Sequence, residues 1–171
     1  MAKNIVKEIL SWILIFAVTL AIAQFVTKVV ILQVKVPTGS MEDTIKIDDR
    51  VIALRISYVL SDPKRGDIVV FPYPDDENMD YIKRIIGLPG ETIEGRDGVV
   101  YINGNLLEEA YTMEPINRDF GPYVVPENHY FMMGDNRNRS QDSRYWKNKF
   151  VARDKLKGKA LLKYPNITWL D

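Results

Sequence analysis

The sequence predicts a mainly β fold, built of antiparallel folded sheets or a partial barrel, attached to one N-terminal transmembrane helix. Three observations support this prediction: an uncharged apolar run at residues 9–27, short β-prone runs separated by turn signals after residue 35, and no later stretch of helical periodicity of similar length. With 46% hydrophobic and 27% charged residues among 171, the composition is that of one folded domain with an appendage.

The apolar run at residues 9–27 has the length of a membrane span. Its 19 consecutive uncharged residues would form a helix of roughly 28 Å, close to the thickness of a bilayer core. Lys3 and Lys7 precede it, so the positive-inside rule predicts a cytoplasmic N-terminus and an extracytoplasmic chain after Lys28. The sequence therefore predicts a single-pass protein of the cytoplasmic membrane.

This topology divides the chain into two parts. We expect residues 1–35 to form the cytoplasmic N-terminus and the anchor, and residues 36–171 to form a β-rich domain on the extracytoplasmic face. A cleaved signal peptide is the alternative, because Ala21-Ile-Ala23 has the small-x-small form of a cleavage site.

Composition also excludes several kinds of chemistry. The chain has no cysteine, which excludes disulfides, thiolate zinc sites and a cysteine nucleophile, and it has one histidine, His129. Residues 1–35 carry four lysines against one glutamate, so the rest of this formally neutral chain has a net charge of −3. An acidic body argues against nucleic acid as a partner.

The β-prone runs are bounded by Gly, Pro, Asn and Asp. Asp97-Gly98 and Asn103-Gly104 each predict a tight hairpin turn within residues 92–107. Residues 108–126 contain three prolines, and we expect a long loop there. Further strands are expected at residues 65–71, 80–87, 129–134 and 157–164.

Ser40, in the stretch KVPTGSMEDTI, is a candidate nucleophile if a base can reach it. His129 is a poor base, because a lone strand histidine is more often a packed or surface residue. Lys83 is the better candidate: strand alternation in YIKRII leaves it between largely apolar faces, and lost solvation lowers the pKa of a lysine. The alternative is a snorkelling or ion-paired strand lysine.

The stretch GDNRNRSQDSR, residues 134–144, is too polar for a core strand. A calcium loop fails on register, because the third and fifth positions counted from Asp135 are arginines. A turn-rich scaffold fits better, in which Asp142 and Arg144 brace each other while Ser140 or Ser143 points into a site. A solvated loop is the alternative.

Four motifs taken together resemble a known family. PTGSM, RGDIVVF, YIKRIIGLPGE and GDNRNRSQDSRYW, in this order after an N-terminal apolar segment, closely resemble the boxes of type I signal peptidases, also called leader peptidases. The resemblance implies a membrane-bound serine endopeptidase with a Ser-Lys dyad, which needs no metal or cofactor. Its implied partners are the lipid bilayer and exported preproteins, whose signal peptides it cleaves after small-x-small (Ala-x-Ala) sites.

The resemblance also implies a role for each matched polar residue. Ser40 becomes the nucleophile and Lys83 the general base, while the Thr38 hydroxyl and the Ser40 backbone amide form the oxyanion hole. Ser140 matches a serine that orients the lysine. Gly39 would let the backbone approach a substrate closely, and Met41 would contact substrate or lipid.

Asp142 and Arg144 match a structural ion pair near the site. The chain departs from the family pattern at Asn138-Arg139, which stands where Asp-Asn is common, and at Lys147, where glycine is usual. Two other functions compete with a signal peptidase. A self-cleaving repressor would require a soluble chain with a DNA-binding region, and a noncatalytic anchored β module would need neither Ser40 nor Lys83.

Overall fold

The N-terminal segment is one long exposed helix. The computed structural model describes residues 2–170, with only the backbone at residues 2–4 and 60, and its first helix, α1, runs over Ala2–Phe25 and continues as a π-helical turn at Val26–Val30. The helix over residues 5–30 is long and apolar enough to cross a bilayer, and none of its side chains is buried. The hydroxyls of Ser11 and Thr19 donate to carbonyls four residues back, which satisfies these groups in an apolar surrounding.

The remainder is mostly strand. Helical structure after residue 30 is limited, within the described chain, to a four-residue helix and two 3-10 turns, at Ser57–Leu60 (α2), Arg137–Arg139 and Arg153–Lys155. The strands are β1 Ile31–Lys35, β2 Arg50–Leu54, β3 Ile68–Tyr73, β4 Asp76–Gly87, β5 Thr92–Arg96, β6 Val99–Ile102, β7 Asn105–Leu106, β8 Phe120–Val124, β9 His129–Met133, β10 Phe150–Ala152, β11 Gly158–Tyr164 and β12 Thr168–Trp169.

The strands form two antiparallel sheets. The larger follows the order β1-β2-β11-β3-β4-β9-β10, with β12 added beside β11, and the smaller follows β7-β6-β5-β8. Because β1 and β10 lie at opposite ends of their order, the larger sheet does not close into a barrel within residues 2–170. The mainly β fold class with one N-terminal apolar helix is thus confirmed.

Most of the strands expected from the sequence are present. β3, β4, β9 and β11 overlap the four predicted runs. Both predicted hairpin turns form: Asp97 and Asn103 have φ of 53° and 51°, and each is followed by a glycine of positive φ.

The long loop expected at residues 108–126 is partly wrong, because β8 lies within it and pairs with β5. Gly121 has a φ of 81°, and a Cβ there would lie 2.7 Å from the Ile93 carbonyl oxygen, so glycine at this position allows a bulged pairing in a segment whose prolines predicted a loop.

The hydrophobic core is divided by β4. Ile85 packs with Phe71, Met132 and Trp146 on one face. Ile86, on the other face, packs with Phe131 of β9 and with residues of the smaller sheet that include Ile93 and Val100. A third cluster, which includes Val36, Met41, Ile45 and Val51, lies under β1 and β2. By the same alternation Lys83 shares the face of Tyr81 and Ile85.

Candidate active site

Ser40 and Lys83 lie in direct contact. Ser40 follows β1 at the start of a turn, and Lys83 is in the middle of β4, 43 residues later. Lys83 Nζ donates a hydrogen bond to Ser40 Oγ at 2.6 Å and a second to the Ile82 carbonyl oxygen at 3.1 Å. Both side chains are buried, since Ser40 is 6% exposed and Lys83 is 3% exposed.

The surroundings of Lys83 favour its neutral amine. Burial lowers the pKa of Lys83 to about 8, although the carboxylates of Asp142 and Asp135 act in the opposite direction. The Lys83 Nζ also lies 5.2 Å from the centre of the Tyr81 ring, so an aromatic face replaces water on that side. A buried amine of this kind can exchange a proton with its neighbour near neutral pH.

Thr38 stands at the entrance of the same site. Its Oγ1 is 3.4 Å from Ser40 Oγ, so the two hydroxyls are neighbours. Among the described residues the Ser40 backbone N–H has no hydrogen-bond acceptor, which leaves it available as a donor. A hydroxyl and an N–H beside a nucleophile are the groups that can hold a developing oxyanion.

Asn136 fixes the backbone around Ser40, a function that the sequence did not suggest. Its Nδ2 donates to the Gly39 carbonyl at 3.0 Å, and its backbone N–H donates to the Ser40 carbonyl at 3.2 Å. The C=O and N–H of a trans peptide point in opposite directions, so holding the Gly39 oxygen aims the Ser40 N–H away from Asn136. The Glu42 backbone N–H donates to the same Gly39 carbonyl at 3.2 Å, so the orientation of the potential oxyanion donor is set by these two donors together.

Ser140 is close to the nucleophile but has no hydrogen bond to the lysine. Its Oγ is buried and, among residues 2–170, finds no hydrogen-bond partner. A Cβ added at Gly134 would overlap both Ser140 Oγ and the Ser40 carbonyl oxygen, so the three residues are closely packed. The lysine-orienting role of Ser140 stays a prediction, without a contact between Ser140 and Lys83.

Asp142 and Arg144 form a buried, two-pronged ion pair. Arg144 Nε and Nη2 each donate to a carboxylate oxygen of Asp142 at 2.8 Å. Asp142 also accepts the Gly134 N–H at 3.0 Å, and Arg144 donates to the Arg137 carbonyl at 2.6 Å. The pair therefore ties the segment after Ser140 to the backbone of Gly134 and Arg137 before it.

Two further buried ion pairs in this region were not foreseen. Arg84 binds both oxygens of Asp135, at 2.9 and 2.7 Å, and Thr44 Oγ1 donates to the same carboxylate at 2.6 Å. Arg137 binds Glu109 at 2.5 and 2.6 Å. Asp135 and Arg137 had been considered only as calcium-loop positions, and their partners lie too far along the chain for any local pattern to indicate them.

Two expectations about neighbouring residues have different outcomes. The prediction that Met41 contacts substrate or lipid is wrong, because this side chain is 0% exposed and packs in the core with Val36 and Ile45. His129 does not line the groove at Ser40; its Nδ1 lies 2.8 Å from the Glu127 carbonyl oxygen.

An open groove of about 360 Å³ leads to Ser40 and Lys83. One wall comes from the end of β1 and the residues after it, and the other from β4. In β4, residues 80–83 pair with β3 on one edge, while pairing with β9 begins only at Arg84, so the second edge is free there within the described chain. The lining residues are Val34, Lys35, Val36, Pro37, Thr38, Ser40, Val70, Asp80, Tyr81, Ile82, Lys83, Arg139 and Gln141.

The chain is similar to several known proteins. A probable signal peptidase I-2 of Synechocystis sp. is 46% identical over 134 residues, which are 75% of this chain and 61% of that protein. A signal peptidase I of Bacillus licheniformis is 34% identical over 153 residues, 84% of this chain and 82% of that protein. A crystal structure of a signal peptidase I from Enterococcus faecalis V583 is 40% identical with a TM-score of 0.51, covering 58% of this chain and 97% of that one.

The extent of these matches differs between relatives. The aligned part of the chain spans between 57% and 66% of the length of the relatives from Synechocystis, Leptolyngbya laminosa and Pseudomonas aeruginosa. The family model for signal peptidase, peptidase S26, matches residues 9–165. Because that match covers most of the chain, including the apolar helix and both walls of the groove, the chain belongs to the signal peptidase family, peptidase S26.

Proposed function

We propose that the chain is a membrane-anchored serine endopeptidase that removes N-terminal signal peptides from exported preproteins. The observation that supports this most directly is the 2.6 Å hydrogen bond between Lys83 Nζ and Ser40 Oγ at the end of an open groove. In this proposal the apolar helix within residues 1–35 holds the enzyme in the cytoplasmic membrane, and residues 36–171, together with β1, form the catalytic domain outside it.

Lys83 acts as the general base in the proposed reaction. The neutral amine takes the Ser40 proton as Oγ attacks the carbonyl carbon of the scissile peptide, and the oxyanion that forms is held by Thr38 Oγ1 and the Ser40 N–H. The Lys83 ammonium then gives the proton to the leaving amine, which leaves an ester on Ser40. A water, deprotonated by Lys83, hydrolyses the ester and restores the free Ser40 hydroxyl.

The shape of the groove supports a proposed preference for small side chains at two alternate positions of the substrate. A substrate in extended conformation can add to the free edge of β4 at residues 80–83, as strands add to open sheets. The side chains one and three residues before the cleaved bond then point to the same side, because alternation has a period of two. That side is the apolar wall that includes Val36 and Ile82, and bulk would overlap it.

The test is cleavage of a preprotein carrying an Ala-x-Ala site by the full chain in detergent. Lys83→Arg keeps the reach of the side chain, but its guanidinium, with a pKa above about 12, cannot accept the Ser40 proton. We expect folded Lys83→Arg and Ser40→Ala to lose cleavage, and the double variant to be scarcely worse than either, because the two groups act as a unit.

His129→Ala serves as the matched control and should retain most of the activity. A noncatalytic module would cleave nothing in any variant. Near-normal cleavage by folded Lys83→Arg, or total loss in folded His129→Ala, would refute the proposed mechanism.

A further inference from the structure

A second, polar groove adjoins the one that leads to Ser40. It has a volume of about 480 Å³, and Asn117, Arg118, Asn138, Ser140 and Tyr145 contribute to its lining. Arg139 and Gln141 line both grooves, so the second groove lies directly beside the one that contains the Ser40 hydroxyl.

Two arginines in the second groove carry unneutralised charge. Arg118 and Arg139 are both exposed, and neither guanidinium has a carboxylate within 4.0 Å among residues 2–170. The neighbouring Arg137 and Arg144 differ, because each is buried against its own carboxylate. The groove therefore presents two free cations on an otherwise polar surface.

Asn138 links the two segments that carry these arginines by hydrogen bonds. Its Oδ1 accepts the Asn117 N–H at 2.9 Å, and its Nδ2 donates to the Pro115 carbonyl at 2.9 Å. The loop before Arg118 is thereby tied to the turn that ends at Arg139. The two positive charges belong to a pre-formed surface and not to separate mobile loops.

The direction of the substrate decides which part of it meets these charges. In the proposed function, which this inference builds on, the residues before the cleaved bond occupy the first groove between Val36 and Ile82. The chain then passes Ser40, so the residues after the bond leave across Arg139 and Gln141. We propose that Arg118 and Arg139 form a subsite for carboxylate side chains among the first few residues of the mature protein.

The expected size of the preference is modest, because both arginines are exposed. Exposed ion pairs contribute roughly 0.2–1 kcal/mol, which corresponds to about a 1.5- to fivefold increase in kcat/KM for each well-placed carboxylate. This increase in kcat/KM should be nearly lost at 1 M salt, because the Debye length there is only about 3 Å.

The experiment compares peptides that share one Ala-x-Ala segment and differ at the first three positions after the cut. Each position carries Asp, Gln or Lys in turn, and kcat/KM is measured with the full chain in neutral detergent. In the wild type we expect kcat/KM to be highest with Asp, lower with Gln and lowest with Lys at one or more of these positions. Arg118→Gln and Arg139→Gln should each lower the ratio of kcat/KM for the Asp peptide to kcat/KM for the Gln peptide. The double variant should bring this ratio to one. Arg139→Glu should make the Lys peptide a better substrate than the Asp peptide.

Arg96→Gln is the matched control, because it removes one exposed arginine that lines neither groove, and the wild-type ratio should persist in it. Equal kcat/KM for Asp, Gln and Lys in the wild type overturns the subsite while leaving the proposed function intact. Absence of cleavage for every peptide contradicts the proposed function itself. If the arginine variants instead lower cleavage of all peptides equally, and only in vesicles of anionic lipid, the arginines bind lipid and the subsite is refuted.

Discussion

At Lys83, burial and charge act on the pKa in opposite directions. Removal from water favours the neutral amine, whereas Asp142 and Asp135 favour the ammonium, and burial dominates. Both carboxylates are already neutralised by their own arginines, which weakens their pull on Lys83. The pairing of these acids therefore contributes to keeping the amine available as a base.

The pH dependence of cleavage follows from this balance. Because the pKa of Lys83 is lowered to about 8, kcat/KM for a preprotein should rise about tenfold per pH unit below that value and level off above it. The measurement is a profile from about pH 6 to about pH 10 in one detergent. A midpoint near 6.5, the ordinary pKa of histidine, would contradict the assignment of Lys83.

The same pKa shift predicts that Lys83 lowers stability. Its folded-state pKa of about 8 lies below the unfolded value of about 10.4, so below pH 8 the folded chain carries a buried ammonium at a cost of up to about 3 kcal/mol. The unfolded state binds more protons between these two values, so this cost disappears as pH rises through that window. Lys83→Met should therefore be more stable than the wild type at pH 7.

Melting of the two proteins in detergent tests this, because titration of all other groups cancels in the difference. The stability gap should narrow from about pH 8 and be small above about pH 10.4. A variant that is less stable at pH 7, or a gap that does not change with pH, would contradict the prediction.

Asn136 is predicted to position the nucleophile without taking part in the chemistry. Asn136→Ala removes the shorter of the two hydrogen bonds to the Gly39 carbonyl and leaves only that from the Glu42 N–H, which loosens the peptide whose N–H would stabilise the oxyanion. We expect kcat to fall about tenfold, or about 1.4 kcal/mol, with KM and the pH midpoint unchanged. Asn148→Ala, which removes a comparable bond to the Pro74 carbonyl outside the groove, is the control. Equal losses in both variants would indicate a general effect on folding.

At the scale of elements, three buried ion pairs hold the segment of residues 134–144 in place. Asp142→Ala would leave the Arg144 guanidinium buried and unpaired, so the free energy of unfolding should fall by about 3–5 kcal/mol. The control is Asp62→Ala, which breaks an ion pair whose aspartate is 90% exposed and should cost less than about 1 kcal/mol. Similar losses from the two substitutions, measured by chemical unfolding, would show that burial of the first pair has little effect.

The elements also differ in how well the sequence predicts them. β3, β4, β9 and β11 are β-prone runs between turn residues, so local pattern is enough. β1 is not predicted because residues 1–35 are assigned to the N-terminus and the anchor, and β8 is not predicted because the prolines of residues 108–126 indicate a loop. In both cases pairing with a distant strand outweighs local preference.

Prediction of the site follows the same rule. Ser40 and Lys83 are candidates from the residues alone because a nucleophile requires a base, but the pair is selected only by the resemblance of four motifs to type I signal peptidases. The pairs of Arg84 with Asp135 and of Arg137 with Glu109 join residues 51 and 28 positions apart, and no pattern in one sequence indicates such partners. The hydrogen bond of Asn136 to the Gly39 carbonyl depends on the position of its side-chain amide. Only the fold of the chain determines that position.

On the scale of the whole molecule, the sheet begins where the apolar helix ends. β1 starts at Ile31, directly after the π-helical turn, and the Arg55 N–H donates to the Val30 carbonyl at 2.9 Å. Ten residues separate Val30 from Ser40, so the nucleophile lies no more than roughly 33 Å of extended chain from the end of the helix. A substrate held in the same bilayer by its own apolar segment would meet the groove near the membrane surface.

This arrangement works only if the β domain faces the compartment that receives exported proteins. Lys3 and Lys7 precede the helix, and by the positive-inside rule they should retain the N-terminus in the cytoplasm. A reporter that is active only outside the cytoplasm should therefore work when fused to the C-terminus of the full chain and fail when fused to its N-terminus. A reporter active only in the cytoplasm should give the reverse pattern. Sequencing the N-terminus of the protein tests the remaining alternative, since cleavage after Ala23 would release the β domain, and with it a C-terminal fusion, from the membrane. Cytoplasmic activity of the C-terminal fusion would overturn the orientation and, with it, access of the groove to exported substrates.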